Sequence, residues 1–178
     1  MHGGRYPNMP FNQQMSFPSE LTLRTTADGP RLFRNPVREI DSLHAAEHRW
    51  SGESLKPGGD LILSDVRGDL LDIRAEIDIG DADQVTLLVG GEPISYDAKR
   101  KMLFARGEAP LQPADDRTLQ LRILVDRTSI ETFANDGRVS LTGCFLPKGD
   151  QPRLVLRASG GTARIRSLVV YELNSAWP

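Results

Sequence analysis

The sequence predicts an all-β protein, a two-sheet antiparallel β-sandwich of jelly-roll or concanavalin-like type with one short helix. Three observations carry this reading. The composition of the 178 residues, 39% hydrophobic and 26% charged, is that of one globular core. Apolar and polar residues alternate with period two in several runs, and turn residues separate those runs about every 8–12 positions, the rhythm of short strands in a sandwich. No fixed-length internal repeat marks a complete propeller or a solenoid.

Taken in order, His2 to Pro18 is rich in Gly, Pro, Asn and Gln, with Tyr6, Met9, Phe11, Met15 and Phe17 at no helical period, and reads as extended chain. Leu21 to Thr25 alternates, Asp28-Gly29-Pro30 turns the chain, and Arg31 to Arg34 returns before Pro36 stops it, which predicts a hairpin. Val37, Ile40, Leu43 and Ala46 recur at three-residue steps among helix formers, so a short helix or helical turn is expected between Val37 and Trp50. Pro57-Gly58-Gly59-Asp60 breaks the chain again.

The clearest strand follows. Leu71, Ile73, Ala75, Ile77 and Ile79 point one way while Asp72, Arg74, Glu76 and Asp78 point the other. Leu119, Leu121, Ile123 and Val125 repeat the pattern opposite Gln120, Arg122 and Asp126, with Leu124 as the exception. Val85 to Val89, Pro93 to Tyr96 and Lys101 to Phe104 supply further strands between these two. Ser129 to Ala134 and Arg138 to Thr142 flank Asn135-Asp136-Gly137 and form a second hairpin. Arg153 to Ala158 and Ala163 to Glu172 are joined by another tight turn, Ser159-Gly160-Gly161-Thr162.

Several function classes find no support. With 22 basic against 24 acidic residues, the charge asks for neither nucleic acid nor an anionic membrane. Apolar runs such as Val85 to Val89 are far shorter than the roughly 20 residues of a membrane-spanning helix. Cys144 is the single cysteine, so it has no internal disulfide partner and no second thiol for zinc, and it is expected as a small buried hydrophobe. His44 and His48 are four apart, but His-Ala-Ala-Glu-His is not the zinc-protease spacing, and a solvated helix face is the expectation. No metal or cofactor is expected. Among the acids, Asp115-Asp116 and the polar face of the 71–79 strand read as solvated. Glu131 shares a strand face with Phe133 and is expected to be a hydrogen-bonded structural glutamate.

Two segments resemble glycoside hydrolase family 32, the levanase, inulinase and invertase group. Met9-Pro10-Phe11-Asn12-Gln13-Gln14-Met15-Ser16-Phe17-Pro18-Ser19-Glu20-Leu21-Thr22-Leu23 looks like the chain leaving the last propeller blade. Leu121-Arg122-Ile123-Leu124-Val125-Asp126-Arg127-Thr128-Ser129-Ile130-Glu131-Thr132-Phe133-Ala134-Asn135-Asp136-Gly137 looks like the central hairpin of the family's C-terminal sandwich. Gly29-Pro30-Arg31-Leu32 and Asn35-Pro36-Val37-Arg38-Glu39-Ile40 match the join between them in order and spacing.

The resemblance implies a domain division, with residues 1–19 as the end of a preceding blade and residues 20–178 as the sandwich. It also implies a partner, an N-terminal propeller that holds an aspartate nucleophile in Trp-Met-Asn-Asp-Pro-Asn-Gly, a second aspartate in Arg-Asp-Pro and a glutamate acid/base in Glu-Cys. This chain has no Asp-Pro pair, and Gly143 precedes Cys144, so no catalytic residue carries over. Without two placed carboxyls there is neither an acid for the leaving oxygen nor a nucleophile, and the chain alone is expected not to hydrolyse fructans. Tyr6, Phe11, Asn12 and Gln13, near the expected propeller rim, are the candidate substrate contacts. A lectin-like module that binds fructan or another oligosaccharide is an alternative, with Tyr6, Trp50, Tyr96 and Trp177 as candidate sugar platforms. Self-association through an uncovered apolar face is another. The residues leave the compartment open; if the parent enzyme is secreted or periplasmic, its signal peptide is expected upstream of this sequence.

Overall fold

A computed structural model of the chain describes residues 15–115, 117–146 and 154–176. β1 (Ser19–Thr26) and β2 (Gly29–Pro36) pair only with each other. A 3₁₀ helix (Arg38–Leu43) leads into β3 (His44–Trp50), β4 (Ser54–Leu55) and β5 (Asp60–Ile62). Next come β6 (Leu70–Asp78), β7 (Gln84–Val89), β8 (Glu92–Asp97), β9 (Met102–Phe104) and β10 (Glu108–Pro110). β11 (Thr118–Asp126), β12 (Ser129–Ala134), β13 (Val139–Cys144), β14 (Leu154–Ser159) and β15 (Ala163–Leu173) complete the order.

Two antiparallel sheets result. One runs β10-β9-β8-β7-β14-β5; the other runs β13-β12-β11-β6-β15-β3, with β4 also paired to β15. The predicted alternation explains why they face each other. β6 pairs with β11 so that Ile73 meets Ile123 and Ala75 meets Leu121, and these four side chains turn to the interior with Ile165, Leu168 and Val170 of β15. Val85 and Leu87 of β7, Ile94 of β8 and Leu154 and Leu156 of β14 answer from the other sheet. Each such side chain stabilises the fold by about 1.5–3 kcal/mol through burial. The inter-sheet core therefore holds the sandwich together.

A second, smaller cluster lies on the outer face of the larger sheet. Leu124, the exception in the alternation of its strand, is 0% exposed there and packs with Phe133 and Ile40. Phe17, Val37 and Leu173 border it. The chain from Phe17 through the 3₁₀ helix is thus laid across a face that a simple two-layer sandwich leaves to solvent.

The β1–β2 hairpin is anchored on the β12–β13 turn. Asn135, Asp136 and Gly137 of that turn all have positive φ, at 48°, 56° and 79°. The Arg34 N–H donates to the Gly137 carbonyl at 2.9 Å, and the Asn35 amide donates to the Asp136 carbonyl at 2.8 Å. A Cβ on Gly137 would stand 2.2 Å from the Arg34 carbonyl oxygen, so both the dihedral and the close approach require glycine.

Three expectations are corrected. The short helical turn expected between Val37 and Trp50 is the 3₁₀ helix Arg38–Leu43, but His44 and His48 are not on a helix face, because His44 to Trp50 forms an antiparallel edge strand on β15. Helix propensities differ by only tenths of a kcal/mol per residue, and a ladder against a formed sheet overrides them. The Ser159–Thr162 turn does not close a hairpin, because β14 lies in one sheet and β15 in the other. Tyr96 is not a surface platform; it is 1% exposed in the core, with its hydroxyl donating to the Leu111 carbonyl at 3.1 Å.

Gly137→Ala is expected to destabilise the protein by about 1–3 kcal/mol, combining positive-φ strain with the clash at Arg34. Urea unfolding of the variant beside the parent measures it, and an unchanged midpoint would contradict this account of the hairpin anchor.

Candidate functional site

Register sets which outward side chains of the larger sheet stand side by side. Across β15, β6, β11, β12 and β13 one row reads Tyr171, Asp72, Leu124, Glu131, Thr142. The next reads Val169, Arg74, Arg122, Phe133, Ser140. A third holds Ser167, Glu76 and Gln120. The first row and Phe133 of the second are covered by the Phe17–Leu43 segment, while Val169, Arg74 and Arg122 of the second row and the whole third row floor an open cleft.

Asp72 is 0% exposed. Arg122 grips it with Nε on Oδ1 at 3.0 Å and Nη2 on Oδ2 at 2.8 Å, and Arg74 adds Nη2 on Oδ2 at 2.8 Å. The same two guanidinium groups reach Asp41 of the 3₁₀ helix at 3.1 Å and 2.5 Å. His44 brings Nε2 to within 3.1 Å of Asp72 Oδ2 while its ring stacks on Tyr171, centroids 3.8 Å apart. Burial pushes the Asp72 carboxyl up, but the hydrogen bonds and charges of Arg122 and Arg74 outweigh it and hold the group below the ordinary aspartate range.

Glu131 is the second carboxylate with 0% exposure. Its Oε2 accepts from Arg34 Nη2 at 2.9 Å and from the Thr142 hydroxyl at 3.3 Å, and its Oε1 accepts from the Phe17 backbone N–H at 2.6 Å. Arg34 also donates through Nε to the Ser19 hydroxyl at 3.1 Å. Glu131 thus ties β12 to the start of the described chain and to β2.

Asp41, His44 and Asp72 offer ligand atoms within 4.8 Å of one another. Two guanidinium groups already share both carboxylates, so a divalent cation would have to displace them, and the cluster is a salt-bridge hub in place of a metal centre. The two imidazoles do not converge. A bulge between Tyr171 and Leu173 lets His44 reach Asp72, whereas His48 Nε2 meets Glu172 at 3.1 Å. Neither buried carboxylate is arranged to protonate a leaving oxygen: Asp72 is held as an anion, and the oxygens of Glu131 are taken up by Arg34, Thr142 and Phe17.

Of the other candidates, Tyr6, Phe11, Asn12, Gln13 and Trp177 lie outside the described residues. Trp50 is partly buried against the core, and Cys144 is half-buried at the end of β13, not fully buried as expected. The Asp72 hub was read in the sequence as a solvated strand face. The signal was present in Asp72, Arg74 and Arg122 on polar faces of two adjacent strands, but only their register reveals that they meet.

The family description "Glycosyl hydrolases family 32 C terminal" matches residues 39–172, from the 3₁₀ helix to β15. The chain belongs to the C-terminal domains of glycosyl hydrolase family 32. Its relatives include a levanase of Bacillus subtilis (strain 168), 30% identical over 96% of this chain, and a levanase of Bacillus sp. (strain L7), 27% identical over 97%. The chain spans only 29% and 21% of the length of those two proteins. The crystal structure of exo-inulinase from Aspergillus awamori shares the fold, with a TM-score of 0.80 at 20% identity, covering 99% of this chain and 39% of that one.

The depressed Asp72 carboxyl gives a sign. The unfolded state binds a proton more readily than the folded state, so the contribution of Asp72 is complete above the ordinary aspartate pKa of about 4. It drains away as pH falls through the lower folded value. Urea midpoints measured from about pH 6 to about pH 2 should fall more steeply for the parent than for Asp72→Asn; parallel curves would contradict the hub. Glu131→Ala is expected to cost about 2–4 kcal/mol, because it strands Arg34 and the Phe17 N–H, and the same denaturation experiment reads it.

Proposed function

We propose that this chain is the non-catalytic C-terminal sandwich of a fructan-hydrolysing, levanase-like glycosidase, where it supports an N-terminal propeller domain. The observation that carries the reading is an apolar stripe on the hairpin. Leu21, Leu23 and Leu32 share one face by register and are 60%, 73% and 59% exposed. Met15, 94% exposed, extends it along a groove that Phe17, Pro18 and Leu21 also line. Apolar surface concentrated in this way favours a packed neighbour over water.

The preceding domain is the occupant we assign to it. The levanase relatives match nearly all of this chain yet are several times its length, and the stripe lies beside the N-terminal end of the described chain. Residues 1–19 then form the exit from the last blade. Asp72 and Glu131, both committed to arginines, serve as fasteners and leave the chemistry to the propeller.

Incubating the purified chain with levan, inulin and sucrose should release no fructose, and release at an enzyme-like rate would refute the non-catalytic reading. Docking has its own test in the N-terminal part of the Bacillus subtilis levanase, produced without the segment that matches this chain. Adding this chain should raise the thermal midpoint of that part, and a Leu21→Asp/Leu23→Asp/Leu32→Asp variant should not. No shift with the parent chain would remove the docking claim. Light scattering over a concentration series separates it from self-association, the second reading that the same stripe favours; a stable dimer would make a second copy the occupant.

A further inference from the structure

We propose that the free edge of β1 pairs with a strand of the preceding domain, so that the β1–β2 hairpin continues that domain's sheet. The inference rests on the proposed docking and deepens it, because it adds a backbone ladder to the contact of apolar side chains.

Hydrogen-bond parity decides which edge is open. The Arg34 N–H donates to the Gly137 carbonyl, so it points away from β1, and the facing pair Leu21–Arg34 is not hydrogen-bonded. Two further observations agree with that parity. The Val37 N–H reaches back to the Pro18 carbonyl at 3.1 Å, which places the next facing pair of opposite parity inside the hairpin. Pro30, which has no N–H to give, faces Thr25. Alternation along the ladder therefore turns the N–H and C=O groups of Leu21, Leu23 and Thr25 away from β2. Among the described residues none of these groups meets a partner.

The outer edge of β2 is closed. It carries Pro30 and Pro36 and is tied at Arg34 to the β12–β13 turn, and such features keep an edge strand from accepting a neighbour. β1 has no proline in its eight residues, and its charged side chains, Glu20 and Arg24, lie on the face opposite the leucines. Two strands alone are marginal in water, and a third strand is what such a hairpin lacks. Leu21 and Leu23 combine an open backbone edge with exposed apolar side chains, so one strand laid beside β1 satisfies both.

The preceding domain supplies that strand. The match to the family's C-terminal domain begins at residue 39, after the hairpin, whereas similarity to the Bacillus subtilis levanase covers 96% of the chain, the hairpin included. The hairpin is thus common to this chain and a much longer enzyme while lying outside the C-terminal unit. A propeller blade is itself an antiparallel sheet, so it can accept β1 at its edge. The hairpin is then shared, with β1 joined to the blade and β2 tied to the sandwich.

Amide hydrogen exchange read residue by residue tests the proposal. In this chain alone the amides of Leu21, Leu23 and Thr25 should exchange fast, while those of Thr22 and Arg24, which face β2, are protected. In the intact Bacillus subtilis levanase the positions matching 21, 23 and 25 should be slower by about a hundredfold or more. Proline provides a second arm, since it removes the N–H. Thr25→Pro should leave the urea midpoint of this chain unchanged, because that N–H does not face β2, and the matching proline should lower the thermal midpoint of intact levanase by about 2 °C or more.

Equal exchange at the three positions in chain and levanase would overturn the proposal, as would an unshifted midpoint for the levanase proline variant or a lowered one for Thr25→Pro. Protection that rises with the concentration of this chain alone would make a second copy the occupant and overturn it too. The aspartate-substituted stripe reports on docking itself. Docking without slowed amides removes the ladder alone, and no docking removes both readings.

Discussion

A carboxylate taken out of water must be paired or it destabilises the fold by several kcal/mol, and this sandwich has two of them in one outward row of its larger sheet. Asp72 and Glu131 are both 0% exposed, two positions apart across β6, β11 and β12. Apart from Thr142, which donates to Glu131 from within the row, their partners come from outside it. Arg34 and the Phe17 N–H reach Glu131, while Arg74, Arg122 and His44 reach Asp72. The segment from Phe17 to His44 is therefore bound to lie across this face, and Leu124, Phe133 and Ile40 gain their apolar cover as a result. Beyond Phe133 the same segment does not reach the neighbouring rows, which is how the cleft arises.

Much of the fold was legible because burial on one side of a strand writes itself as period two. β6, β11 and the two hairpins with their Asp28-Gly29 and Asn135-Asp136-Gly137 turns stand where alternation and turn chemistry put them. The outer face was legible only as an anomaly. Leu124 broke the pattern because a second layer covers it, and a single-layer assumption had no place for that. The short helical turn expected between Val37 and Trp50 is present at Arg38–Leu43, but the helix face expected for His44 and His48 is not, since Val37 and Ile40 are spaced for the small outer cluster while His44 onward answers to β15. Tyr96 illustrates the limit for surface residues: its hydroxyl finds a buried carbonyl, which local sequence does not announce.

Of the candidate site, Glu131 was visible as a polar group on an apolar face, whereas the Asp72 hub was not. Asp72, Arg74 and Arg122 are ordinary in their own strands and become a unit only through the β6–β11 register. A domain whose buried acids are fully engaged by arginines is suited to holding a shape, and the relatives it resembles are far longer than it is.

The hairpin shares no strand with either sheet and is held by a few contacts at the β12–β13 turn and at Glu131. Its outward leucines therefore contribute little to the inter-sheet core. Under the proposed docking, substitution there would alter which neighbour the domain fits at almost no expense to folding, so partner choice and domain stability would evolve along separate paths. The constraint falls instead on Gly137 and Arg34, where the seam between the two is sewn.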